Sequence, residues 1–194
     1  MGFGIALFEG VEELDWAGPW EVLGAWAHHF PEDGARVWTM SREPGVLTCA
    51  KGARVLADHT WGDHPAVDVL VYPGGRGTRP QLGDPAVRQW VRDVAAGARV
   101  VTSVCTGALV LADAGLLDGR PATTHWASLE LLAGLGTGIE VRGQDRFVDD
   151  GDVVTAAGVS AGIDMALHLV ARFAGVDRAR QVQEAIQYYP APPV

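Results

Sequence analysis

Short apolar runs alternate with amphipathic segments along the whole chain. The apolar runs are typical of buried strands and lie at residues 4–8, 35–40, 67–72 and 99–104. Two shorter strands are predicted within 46–57, and a hairpin over 146–155 turns at Asp150-Gly151. Helical spacing occurs at residues 19–27, 84–96, 105–112, 160–174 and 177–187, and an extended tail is predicted for 190–194. This alternation favours an α/β domain with a mostly parallel sheet.

Composition and charge narrow the class of protein. Because domains usually contain about 100–200 residues, the 194 residues are expected to form a single domain, 1–194. The 15 Lys and Arg against 24 Asp and Glu give a formal net charge of −9. That charge argues against a nucleic-acid partner, because phosphate backbones attract basic surfaces.

The sequence also limits the cellular compartment in which we expect the protein to work. The longest uncharged stretch, 100–112, is shorter than the roughly 20 residues that cross a membrane, and the N-terminus lacks the basic region of a signal peptide. The two Cys are too few for a disulfide framework. We therefore expect a cytoplasmic protein with reduced thiols and no membrane partner.

Unusual residues mark the ends of three predicted strands. Asp15 follows the first strand, Gly74-Gly75 follows the strand at 67–72, and Cys105 follows the strand at 99–104. In open α/β sheets, ligands bind beyond the carboxyl ends of the strands. These positions are therefore the candidates for chemistry.

Cys105 stands between a strand and a helix with no loop between them. A residue there occupies a sharp turn that exposes a nucleophile. The positive end of the following helix, with the backbone N–H groups of Thr106 and Gly107, is expected to lower the pKa of the thiol. The alternative is a small buried Cys that packs between strand and helix. Cys49 lacks such a turn and is interpreted as structural.

The other candidates are weaker when taken alone. Gly74 and Gly75 would let backbone N–H groups approach a developing negative charge, or they form a plain turn. Asp15, placed before the helix expected at Pro19, could hold and return a proton, or it caps that helix. His125 could orient the site, or it is a structural His.

Several motifs together resemble the ThiJ/PfpI superfamily, also called class I glutamine amidotransferase-like, and within it most closely the isonitrile hydratases. The resemblance rests on residues 102–119, the Ala-Thr-Thr-His-Trp run at 122–126, Leu14-Asp-Trp-Ala-Gly-Pro-Trp at 14–20, Tyr-Pro-Gly-Gly at 72–75, and residues 158–164 and 187–193. Those segments span essentially the whole chain in order. One departure is at Ala156 and Ala157, where the hydratases carry glycines; this could restrict the following helix or reshape the pocket.

The resemblance implies a flavodoxin-like three-layer α/β sandwich that forms a homodimer and needs no metal or organic cofactor. It implies that Cys105 is the nucleophile, that Asp15 is the general acid and base, and that Thr106 belongs to the catalytic set. The reaction would convert an isonitrile to an N-substituted formamide through a cysteine-bound thioimidate. Four residues are expected to contact the substrate or hold its charge: Gly74, Gly75, Gly107 and His125.

Other functions remain open on the sequence. Another enzyme of the superfamily, a glyoxalase, deglycase or amidase, is possible, although Asp15 and Thr106 weigh against each. Regulators of the AraC type carry a similar domain, but this chain shows no basic DNA-binding module. A stand-alone ligand or redox sensor would use an exposed, low-pKa Cys105 that oxidises readily. Trp16, Trp20, Trp126 and Phe147 could line an apolar pocket, but core or dimer-interface positions are favoured for most of them.

Overall fold

A computed structural model describes residues 1–191. Its strands are β1 (Gly2–Leu7), β2 (Arg36–Ser41), β3 (Val46–Thr48), β4 (Arg54–Leu56), β5 (His59–Thr60), β6 (Val69–Tyr72), β7 (Val100–Val104), β8 (Pro121–Ala122), β9 (Glu140–Val141), β10 (Phe147–Asp149) and β11 (Val153–Ala156). Its helices are α1 (Glu13–His29), α2 (Pro85–Gly97), α3 (Gly107–Asp113), α4 (Leu129–Leu135), α5 (Ala161–Ala174) and α6 (Val176–Ala185). Short 3-10 turns cover Pro31–Asp33, Arg76–Gln81 and Trp126–Ser128. Most of the predicted tail at 190–194 lies outside the described residues.

Within residues 1–191, seven strands form the central sheet in the order β10-β11-β7-β6-β1-β2-β5. Neighbouring strands pair in parallel, except that β10 runs antiparallel to β11. Strands β1, β6 and β7 are buried along their full length, which explains their continuous apolar runs. This order makes β1, β6 and β7 adjacent, so their carboxyl ends meet at one edge of the sheet.

Helices cover both faces of this sheet. One apolar core packs α1, α5 and α6 against the sheet, and a second packs α2, α3 and α4 against the opposite face. The result is a three-layer sandwich with a mostly parallel sheet, as expected from the alternation of strands and helices. The predicted hairpin is also confirmed: β10 and β11 pair across a turn that contains Gly151, whose φ is 83°.

Two helix starts differ from the sequence prediction. Helix α1 begins at Glu13, so Asp15 lies in its first turn and not in a loop before Pro19. The prediction placed Pro19 in the first turn because proline lacks the N–H that a helix interior uses, but here Pro19 lies inside the helix. Helix α3 begins at Gly107, so Cys105 and Thr106 precede it.

No helix among residues 1–191 combines the length and the apolar character needed to span a bilayer.

Candidate active site

Three segments that are distant in sequence meet at the carboxyl edge of the sheet. The first turn of α1 follows β1, the Gly74-Gly75 segment follows β6, and Cys105 follows β7. The contacts are very close: a Cβ added to Gly74 would lie 2.4 Å from the Thr106 nitrogen and 2.8 Å from Asp15 Oδ2. Only glycine fits at position 74, because any side chain would separate the acid from the elbow.

Cys105 occupies a strained turn between β7 and α3. Its φ is 55°, in the left-handed region that non-glycine residues rarely adopt. The turn is held by the Cys105 N–H, which donates to the carbonyls of Ala156 (3.1 Å) and Ala157 (2.9 Å). The Cys105 carbonyl accepts from Thr124 Oγ1 at 2.7 Å. These bonds fix the thiol at the mouth of the sheet, as the elbow prediction required.

Asp15 is 0% exposed and lies beside the thiol. Its Oδ2 accepts the Gly74 N–H at 2.9 Å. Its Oδ1 has no partner in normal hydrogen-bond geometry among the described residues, although the Cys105 side chain is close enough to act on the carboxyl as a hydrogen-bond donor. The alternative of a helix cap is excluded, since Glu12 is the N-cap residue of α1 and Asp15 accepts from a different segment.

Burial controls the protonation of both groups. Loss of solvation raises the pKa of Asp15 from 3.8 to about 7, against smaller opposing effects of its bonds to Gly74 and Cys105. Burial and then the charge of Asp15 raise the pKa of Cys105 to about 11. The expected lowering of the thiol pKa was therefore wrong: the N–H groups of Val159 and Thr106 do lower it, but they are outweighed.

The predicted substrate role of the glycine amides is not met in this geometry. The Gly74 N–H is taken by Asp15, and the Gly75 N–H donates to Thr106 Oγ1 at 2.9 Å. A Cβ at Gly107 would lie 2.1 Å from the Tyr72 carbonyl oxygen, so Gly107 is needed for close packing of α3 onto β6. The amides of Gly74 and Gly75 are thus already bonded within the protein, and the close contacts of Gly107 are filled by packing. We interpret the three glycines as residues that hold the acid and the elbow close together.

Thr106 is held by the segment that follows Gly75. Besides the Gly75 N–H, the Thr78 hydroxyl lies 3.2 Å from Thr106 Oγ1 and also donates to the Gly75 carbonyl at 2.8 Å. Thr78 is fully buried and Thr106 nearly so. The hydroxyl of Thr106 therefore has a fixed place next to the nucleophile.

A pocket of about 380 Å³ opens beside the thiol. Its lining includes Cys105, Thr106, Gly75, Val159, His125 and Ser128. His125 also has a structural role, since its Nδ1 accepts the Ala127 N–H at 3.2 Å and caps the turn Trp126–Ser128. In the neutral ring this bond leaves the proton on Nε2. His125 therefore lines the pocket, as a residue that orients the site would, and it also has the structural role that the sequence left open.

Sequence reasoning missed Val159. Its N–H interacts with the Cys105 sulfur, and its φ of 45° is unusual for a β-branched residue. Such a backbone costs about 1–3 kcal/mol, which the surrounding structure must offset. The only signal in the sequence was its place in the segment 158–164, one residue after Gly158.

The aromatic residues divide in two groups. Trp16, Trp20 and Phe147 pack against the core between α1 and α5, as favoured from the sequence. Trp126 is 77% exposed, so it lies outside the core. Cys49 is buried in a small apolar cluster under the β3–β4 hairpin, in agreement with a structural role.

Comparison with known proteins decides the family. Residues 4–172 match the DJ-1/PfpI family. The chain belongs to the DJ-1/PfpI family. The resemblance to the ThiJ/PfpI superfamily and the expected flavodoxin-like fold are thereby confirmed.

Known proteins match the chain over different extents. Isonitrile hydratase from Pseudomonas putida is 42% identical over 193 residues, which span 100% of this chain and 81% of that protein. The crystal structure of a ThiJ/PfpI family protein from Pseudomonas syringae superposes with a TM-score of 0.90 at 32% identity, over 100% of this chain and 77% of that one. The transcriptional regulator CdhR from Pseudomonas aeruginosa is 33% identical over 158 residues, 81% of this chain and 46% of the regulator.

Proposed function

We propose that this protein hydrates isonitriles to N-substituted formamides. One observation carries the proposal: the buried thiol of Cys105 lies beside the buried carboxyl of Asp15, and the Oδ1 oxygen of that carboxyl is unused by the described residues. The similarity along the whole chain to an isonitrile hydratase supports it. Burial raises the pKa of Asp15 to about 7, so this carboxyl can both give and take a proton near neutral pH.

The first step is addition of the thiol across the isonitrile carbon. The Cys105 proton moves to Asp15 Oδ1, and the raised pKa of Asp15 makes this transfer less costly than it would be to an ordinary carboxylate. The sulfur then forms a bond to the terminal carbon while Asp15 delivers the proton to that carbon. The product is a thioimidate, R–N=CH–S–Cys105, and Asp15 is left ionised.

The second step returns the enzyme to its starting state. The ionised Asp15 takes a proton from water as the oxygen adds to the thioimidate carbon, and it passes that proton to the imine nitrogen. The tetrahedral carbon then collapses: the C–S bond breaks, the hydroxyl proton passes to Asp15, and the formyl C=O forms. The sulfur leaves as thiolate and recovers its proton through Asp15, so that one water is consumed and one formamide, R–NH–CHO, is released.

Two backbone N–H groups are placed to stabilise negative charge on sulfur. Those of Val159 and Thr106 both interact with the Cys105 side chain. Because they belong to fixed backbone in a buried site, they need no rearrangement when the thiolate forms or leaves. This assignment replaces the Gly74 and Gly75 amides, which have partners within the protein.

The direct test is conversion of para-nitrophenyl isocyanide to its formamide by purified protein. Wild-type protein is expected to turn over this substrate, and Cys105→Ala is expected to lose turnover because it lacks the nucleophilic sulfur. Cys49→Ala is the matched control, because Cys49 is also a buried free cysteine but lies under the β3–β4 hairpin. Absence of turnover by wild-type protein, or full activity of Cys105→Ala, refutes the proposal.

Parallel assays separate the other enzymes of the family. A deglycase or glyoxalase would act on methylglyoxal, and an amidase would act on peptides. We expect turnover of isonitriles alone.

Two further properties belong to the proposal. We infer a homodimer that acts on a small-molecule substrate, as the resemblance implies, and that works in the cytoplasm, as expected from the sequence. Light scattering coupled to gel filtration is expected to give twice the 20.5 kDa chain mass, and a monomeric mass would contradict the dimer.

A further inference from the structure

Two arginines line the pocket beside Cys105. Arg76 and Arg79 both belong to the 3-10 turn Arg76–Gln81 that follows Gly75. Within residues 1–191, neither has a carboxylate within 4.0 Å, whereas most other basic side chains pair with Asp or Glu. Both side chains are exposed, so each is free to pair with an anion that enters the pocket from solvent.

Arg79 is held in place although it lacks a counter-ion. Its guanidinium donates to Thr78 Oγ1 at 3.0 Å and to Ser128 Oγ at 3.1 Å. Both hydroxyls are buried, and Thr78 in turn contacts Thr106 beside the nucleophile. A guanidinium has five N–H donors, so these two bonds leave donors for another acceptor. Arg79 is thus a positioned positive charge two hydrogen bonds away from Thr106.

The acidic groups of the same pocket limit what can bind. Glu12 also lines it, but Lys51 contacts its carboxylate. Asp15 has a raised pKa because it is buried, so it opposes an anion less than an ordinary carboxylate would. One acidic wall opposes a dianion more than a monoanion, since repulsion grows with charge. The arrangement therefore suits a single carboxylate, which a guanidinium can bind through two parallel hydrogen bonds.

We propose that the physiological substrate is an isonitrile that carries a carboxylate, and that Arg79, assisted by the field of Arg76, binds this carboxylate. The inference rests on the proposed isonitrile hydration and assigns its substrate class. Isocyanoacetate is the smallest such compound, and its hydration consumes one water and gives N-formylglycine. Arg79 would act in binding and orientation and take no part in proton transfer.

The test compares isocyanoacetate with its methyl ester, which has the same isonitrile but no charge. The measured quantity is the ratio of the two kcat/KM values within each variant, because this ratio cancels any general loss of activity. Wild-type protein is expected to favour the acid, and Arg79→Gln is expected to lower the ratio by about 10- to 100-fold, the range for a lost charged hydrogen bond. Arg36→Gln is the control: Arg36 starts β2, lies outside this pocket, and has no carboxylate partner in the described chain.

Product binding provides a second measurement that does not need turnover. Calorimetric titration of Cys105→Ala with N-formylglycine and with its methyl ester is expected to show tighter binding of the acid. Adding Arg79→Gln is expected to remove that difference. An unchanged kcat/KM ratio in Arg79→Gln, or equal affinity for the acid and the ester, overturns the inference. If no isonitrile of either charge is hydrated, the proposed function fails, while the titration still decides whether Arg79 binds a carboxylate.

Discussion

Replacing Asp15 with Asn should abolish catalysis and yet stabilise the folded protein. The Asp15 carboxyl is completely buried, and burial raises its pKa from the ordinary value of 3.8 to about 7. Each unit of pKa difference corresponds to about 1.36 kcal/mol, so the ionised carboxylate costs the fold about 4 kcal/mol. Asn keeps a carbonyl oxygen that can accept the Gly74 N–H, but it carries no charge.

The sign of the pH dependence follows from proton linkage. Between pH 4 and 7 the folded protein binds the Asp15 proton more tightly than the unfolded chain does, so the contribution of Asp15 to stability falls as pH rises. The penalty is absent below pH 4 and is complete above pH 7. The Asp15→Asn variant should therefore match wild type near pH 4 and exceed its free energy of unfolding by about 4 kcal/mol at pH 8.

Urea denaturation at several pH values from 4 to 8, at fixed protein concentration and with reductant, measures this difference. Asp113→Asn is a control of opposite sign, because Arg88 holds the pKa of Asp113 below its ordinary value and the charged form stabilises the fold. That variant should be less stable than wild type by a nearly constant amount from pH 4 to 8, because the stabilising charge of Asp113 is lost only below about pH 4. If Asp15→Asn is less stable than wild type at pH 8, or if its difference from wild type does not change with pH, the carboxyl is not held in the environment described here.

Three further predictions concern the site. The kcat/KM for a neutral isonitrile should rise with pH near 7 and fall again near 11. The reason is that the reactive state holds one proton between Asp15 and Cys105. A profile that only falls with pH from 5 upward would contradict the shared proton. Gly107→Ala should lower the free energy of unfolding by about 1–3 kcal/mol, because the added methyl group overpacks against Tyr72. Gly24 lies in helix α1 with open space around it, so Gly24→Ala should raise the free energy of unfolding by about 0.5–1 kcal/mol in the same urea assay. Thr124→Val removes the bond to the Cys105 carbonyl and should lower kcat more than it raises KM in steady-state kinetics, since it loosens the elbow and not the pocket.

The sequence was a good guide to features that depend on local pattern. Continuous apolar runs located β1, β6 and β7, and the absence of a loop after β7 located the elbow at Cys105. The helix predicted at 84–96 was also confirmed: α2 spans Pro85–Gly97, and the side chain of its N-cap residue Asp84 accepts the Ala86 N–H. Each of these features is decided by residues that are close in the chain.

The features that sequence reasoning missed depend on distant contacts. The Gly74 N–H finds Asp15 across 59 positions, and the Gly75 N–H finds Thr106 across 31. No local pattern shows that these amides are occupied and unavailable to a substrate. The direction of the Cys105 pKa was missed for the same reason: the adjacent helix start is visible in the sequence, but burial by the surrounding core and the approach of Asp15 are not.

The structure also weighs on whether Cys105 serves as a redox sensor. That alternative assumed an exposed thiol of low pKa, since oxidation follows thiolate character and access. Here the thiol is 5% exposed, and burial together with Asp15 raises its pKa. Burial and the charge of Asp15 disfavour the free thiolate, which protects Cys105 against oxidants that reach it at random. A substrate seated in the pocket can accept the sulfur and, through Asp15, the thiol proton at one carbon, so the thiol is still able to react. The buried acid therefore favours catalysis. Mild peroxide should oxidise Cys105 faster in Asp15→Asn than in wild type when both are followed by mass spectrometry, because loss of the Asp15 charge lowers the pKa of the thiol. A marked preference for Cys105 in wild type, without isonitrile turnover, would support the sensor.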